Sequence, residues 1–120
     1  MRIKLAAGGL LLTLATPAMA DNWDFVLVNK TGKTIKLVEV SEAGSANWAK
    51  EQREEDLGTG KIKPGDDHTV HFDKGAKSCK FDVRMTFEDD SQAVWAAFDV
   101  CKFAFGDFAL KGDLPTVKGT

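Results

Sequence analysis

The chain has 120 residues, 43% of them hydrophobic and 28% charged, with a formal net charge of −2. That length suffices for one domain with a core of its own and is too short for two. An acidic balance without a Lys/Arg stripe argues against nucleic acid, where phosphate neutralisation supplies most non-specific affinity, and against docking on anionic lipid.

Residues 1–20 have the three parts of a secretory signal peptide. Arg2 and Lys4 give a positive start, no acidic residue precedes Asp21, and 5–15 are apolar apart from Gly8, Gly9 and Thr13. Thr16 and Pro17 end the run, and Ala18-Met19-Ala20 puts small residues where a signal peptidase reads them. The run is shorter than the roughly 20 residues a membrane-spanning helix needs, so no membrane insertion is expected after cleavage. The expected product, residues 21–120, is exported to the periplasm or the extracellular space. The leader takes two basic residues and no acidic one, so this product is more acidic than the whole chain.

Beyond the leader the chain reads as short strands separated by turns. The apolar run 23–29 and the β-branched run 34–40 flank Asn29-Lys30-Thr31-Gly32 and are expected to pair as a hairpin. Ile62 precedes Pro64-Gly65, a turn dipeptide because Pro presets φ and Gly tolerates positive φ. A strand is expected over 68–72. In 81–88, Phe81, Val83, Met85 and Phe87 alternate with Asp82, Arg84, Thr86 and Glu88, the period of a strand with one buried face. Strands over 93–101 and 103–110 complete the set, and 114–120 is expected to be a flexible tail.

Segment 41–56 breaks the pattern. It holds Gly44, Trp48 and the charged run 50–56, and the reading is a solvated loop or a two-turn helix from about Asn47, pinned by Trp48. In such a helix Lys50 and Glu54 would pair one turn apart while Glu51 and Glu55 repel. Regular strand spacing with this one interruption predicts an all-β domain with minor helix over 21–113. Its form is a small antiparallel sandwich or partly open barrel of about six or seven strands.

Two cysteines in an exported chain of this size are expected to pair, Cys79 with Cys101. If Asp89-Asp90-Ser91 is a three-residue loop, Glu88 faces Gln92, Met85 faces Trp95, and Cys79 faces Cys101 at a separation a disulfide can span. That register puts Asp99 on the buried side and turns Phe98 and Val100 outward. A bulge would reverse the alternation and leave the cysteines at the strand ends. Asp99, if buried as in the simple register, would cap backbone donors near the disulfide.

Val28-Asn29-Lys30-Thr31-Gly32, Ile35, Val40-Ser41, Trp48, Leu57-Gly58, Pro64-Gly65, Cys79, Phe81-Asp82-Val83-Arg84, Trp95 and Phe98-Asp99-Val100-Cys101-Lys102 occur in this order over most of the exported part. In these pieces the chain resembles a family of small uncharacterised exported bacterial proteins. Some members carry an argininosuccinate lyase label, which does not suit them: that enzyme is a large helical cytosolic tetramer. The resemblance implies a β-domain with a paired cysteine bridge and no activity. Members usually have a Gly- and Asp-containing stretch after the tryptophan, where this chain has the charged run 50–56.

No serine sits in a nucleophile turn, no zinc-type cluster is complete, and no cofactor motif occurs. His68 and His71, beside Asp66 and Asp67, are weak metal candidates, because strand residues three apart point to opposite faces. Asp82 and Arg84 read as a surface charge ladder, and Trp95 reads as core. The expected function is non-catalytic binding of a periplasmic protein or envelope ligand through the 41–56 segment, with Trp48, Lys50, Arg53 and Glu54 as candidate contacts. The alternatives are an inhibitor of, or small enzyme acting on, envelope material, and a metal-binding domain at His68 and His71.

Overall fold

A computed structural model describes residues 22–52, 60–73 and 78–120, with the backbone alone for Asn22, Trp23 and Asp73. The proposed leader lies outside these residues. The described strands are β1 (Asn22–Lys30), β2 (Ile35–Glu42), β3 (Ala49–Lys50), β4 (Asp67–Asp73), β5 (Lys80–Phe87), β6 (Gln92–Asp99), β7 (Phe105–Lys111) and β8 (Leu114–Gly119). They form two four-stranded sheets, ordered β4-β1-β7-β8 and β3-β2-β5-β6. Every neighbouring pair is antiparallel except β1 and β7, which run parallel. The all-β sandwich-like fold is as expected, and the expected minor helix does not occur among the described residues.

The expected hairpin of β1 and β2 does not form, for the two strands belong to different sheets. Asn29 makes the corner between them. Fully buried, its side-chain Nδ2 donates to the carbonyls of Lys33 (2.8 Å) and Ile62 (3.0 Å), and its Oδ1 accepts from the Thr31 amide (3.0 Å) and hydroxyl. These bonds fold residues 29–33 into an Asx-type turn that carries the chain across the core instead of back along one sheet. The Pro64-Gly65 turn is present as expected: Gly65 has φ 90° and Asp66 N donates to Lys63 O at 3.0 Å, the positive φ that a type II turn demands.

The core lies between the sheets. Phe25, Leu27, Val70, Phe72 and Phe108 meet Ile35, Val38, Val83, Met85, Phe87, Trp95 and Phe98, all 5% exposed or less. Aromatic pairs join the layers: Phe25 with Phe98 at 5.1 Å, Phe72 with Phe81 at 5.0 Å, and Phe108 edge-on to Trp95 at 5.7 Å. Such pairs contribute about 0.5–1.5 kcal/mol beyond their buried area. The alternation expected in β5 is present, with Phe81, Val83, Met85 and Phe87 all buried.

The register of β5 and β6 differs from expectation by two residues: Met85 faces Ala93 and Val83 faces Trp95. The three-residue loop is Glu88-Asp89-Asp90, closed by a bond from Phe87 N to Ser91 O at 2.9 Å. Asp90, at φ 69°, takes the left-handed third position that such loops use, and aspartate tolerates that position. Further along, Ala96 and Ala97 together oppose Asp82, and the Asp82 carboxylate accepts from Ala97 N at 2.9 Å. This bulge reverses the side-chain alternation, so Phe98 turns into the core. The disulfide Cys79–Cys101 then bridges the strand ends at a Cα separation of 5.2 Å. Asp99 is half-buried and caps the turn there, its Oδ1 accepting from the amides of Cys101 (3.0 Å) and Lys102 (3.1 Å).

Residues 114–120 are not a flexible tail. Leu114–Gly119 form β8, paired with β7 from Gly106↔Gly119 to Lys111↔Leu114. Two contacts hold it: Trp95 Nε1 donates to Thr116 O at 2.9 Å, and the Phe103 ring lies directly over Gly119. A Cβ at Gly119 would come within 2.4 Å of that ring, so only glycine leaves room for it.

Candidate functional site

In place of the expected solvated loop or two-turn helix from about Asn47, the described part of the segment, up to Gln52, forms an extended edge. Ser41 Oγ accepts from Asn47 N at 2.9 Å, and Gly44 (φ 82°) and Ala46 (φ 54°) take left-handed conformations, so 42–47 closes as a tight loop. Ala49 and Lys50 then pair with Val40 and Glu39 as β3. Extended geometry turns Glu51 inward, where a helix would have left it in a row of charges with Glu55. Glu51 N donates to Val38 O (3.1 Å) in the second sheet, and Gln52 N donates to His71 O (2.8 Å) in the first. The segment therefore laces the two sheets together along one side, as Trp95 does along the other.

The Glu51 side chain is 3% exposed and accepts from His68 Nε2 at 2.6 Å across the joint. His71 points the other way, toward solvent, with Nδ1 3.4 Å from Asp24 Oδ2. The two imidazoles thus occupy opposite faces of β4 and are each turned to a different carboxylate. The only described cluster of three potential metal ligands is Cys79, Asp99 and Cys101, within 4.8 Å of one another. Its two sulfurs are bonded to each other and offer no thiolate.

On the outer face of the second sheet, register places Lys50, Glu39, Arg84 and Val94 side by side on four successive strands. Arg84 Nε donates to Glu39 Oε1 at 2.9 Å, and its guanidinium lies over the Trp48 ring with Cζ 4.5 Å from the centroid. Trp48 is half-buried, so it packs against the sheet and still meets solvent. Asp82 does not pair with Arg84 as a charge ladder would have it. Its two oxygens accept from the amides of Gly44 (3.0 Å) and Ala97 (2.9 Å), tying the loop to the bulge. Next to this patch a cleft of about 270 Å³ opens at the sandwich edge, lined among others by Val40, Phe72, Phe81, Ser45, Asn47 and Gln52.

Of the sequence-derived contact residues, Trp48 and Lys50 lie on this corner, while Arg53 and Glu54 lie outside the described residues. Arg84 and Glu39 were not among them. Their part depends on the pairing of β2 with β5, which joins residues 45 apart in the chain and leaves no local mark.

No protein-family model matches the chain, and no curated protein matches it. Among solved structures it is similar to a protein from Eubacterium rectale determined by NMR, with a TM-score of 0.53 at 15% identity over 82% of this chain and 88% of that one. At that identity the likeness bears on the fold alone.

Proposed function

We propose that the protein is an exported, non-catalytic binding module that engages an envelope ligand, or a periplasmic protein, through the corner formed by residues 41–52. The observation that carries the reading is Trp48, its ring held beneath the Arg84 guanidinium at 4.5 Å while still reaching solvent. An aromatic ring fixed in this way offers contact area at little entropic cost, and Trp and Arg are the side chains most often decisive in interfaces. The leader-like residues 1–20, the likeness to exported proteins and the disulfide all favour an oxidising compartment outside the cytoplasm.

The test is co-sedimentation of the purified protein with isolated envelope material of a double-membraned bacterium. The wild type should pellet with it, and Trp48→Ala should stay largely in the supernatant while keeping its unfolding free energy within about 1 kcal/mol, as is usual for a partly exposed side chain. Equal pelleting of the two proteins would remove this corner from the function.

A further inference from the structure

We infer that the outer face of this corner is a carboxylate-binding site, with Arg84 as the principal donor and Lys50 as the second. The inference rests on the binding reading above and names the chemical group that the corner recognises.

Arg84 is held at two points: by the bond from Nε to Glu39 and by the Trp48 ring, over which its Cζ lies at 4.5 Å. Neither contact uses the N–H groups of the two terminal nitrogens, which make no hydrogen bond to any described residue. The side chain is 25% exposed, so an incoming group can reach them. Lys50 flanks Glu39 on the other side in the same cross-strand row, and its ammonium is likewise unpaired among the described residues. The row therefore alternates plus, minus, plus, with one positive charge in excess, on a chain whose overall charge is −2. Asp82, the nearest carboxylate on the same strand and face, points its oxygens at the amides of Gly44 and Ala97.

A guanidinium with a fixed plane and free terminal N–H groups suits an acceptor with two oxygens in one plane, which is the geometry of a carboxylate. Holding the fork by stacking removes rotamer entropy that a free arginine would lose on binding. Lysine could not replace it, since an ammonium neither forks nor stacks flat on the indole.

Acetate is the probe. In 15N-labelled protein, the Arg84 Nε–Hε and Trp48 indole N–H resonances should shift saturably with sodium acetate. They should not shift in this way with sodium chloride at equal ionic strength or with neutral acetamide. Arg84→Lys should weaken acetate by about tenfold or more, the effect of losing one charge-assisted hydrogen bond, and Lys50→Ala should weaken it less. Shifts that rise linearly and equally in acetate and chloride would overturn the inference. So would saturable acetate binding that Arg84→Lys leaves intact. If envelope binding depends on Trp48 but acetate neither binds nor competes, the carboxylate assignment falls and the binding module stands. If envelope binding ignores Trp48, the module reading falls whatever acetate does.

Discussion

At the tip of the β5–β6 hairpin, Asp89 accepts from the hydroxyl and the backbone amide of Ser91, and Lys33 lies 3.3 Å away. The two Ser91 bonds, followed by the lysine, hold its carboxyl at about 2, below the ordinary 3.8. Since the folded value is the lower one, the contribution to stability is complete above about 3.8 and disappears as pH falls through about 2. A 13C titration of the Asp89 carboxyl should give a midpoint near 2, and Ser91→Ala should move it back toward the ordinary range. A midpoint unchanged by that substitution would show that the local bonds are not the cause. The neighbouring pairs Lys36–Asp90 and Lys61–Glu88 are exposed, and pairs of this kind typically contribute about 0–1 kcal/mol and weaken with salt.

Among the elements, β8 shows best where local reading stops. Its sequence, LPTVKG, has no alternation of apolar residues and ends beside the C-terminus, so nothing local marks it as a strand. It becomes one because Trp95 and Phe103, from other parts of the chain, need Thr116 O and the bare backbone of Gly119. Gly119→Ala should therefore lower stability by about 1–3 kcal/mol, the usual cost of forcing an extra carbon into a packed contact. Urea unfolding would show it as a lower midpoint, and an unchanged midpoint would mean that Phe103 is not anchored there. By contrast β5 was legible from its own period of two, and so was the Pro64-Gly65 turn. The β6 bulge was legible only as an alternative, because it depends on a carboxylate of the neighbouring strand. Trp48 stood out as a lone large ring in a polar segment, whereas its stack with Arg84 required three strands to be in register first.

For the molecule as a whole, the disulfide closes a loop between residues 22 apart at the foot of β5 and β6. In the chain-entropy account a loop of this size contributes roughly 3 kcal/mol, a large part of the roughly 5–15 kcal/mol typical of a small domain. Replacing both cysteines with alanine should lower the unfolding free energy by about that amount in denaturant titrations. Retention of the full value would place the fold's stability in the aromatic core alone.

The parallel pairing of β1 with β7 bears on the order in which the sheet can assemble. β1 is the first described strand in the chain, yet its central place in the sheet requires Phe105–Lys111, about 80 residues further on. Contacts so distant along the chain pair slowly, since the intervening loop must be closed before they can form. A chain that stops before Phe105 has no way to complete the first sheet. The first sheet is thus held open until residues 105–111 are free to lie beside β1.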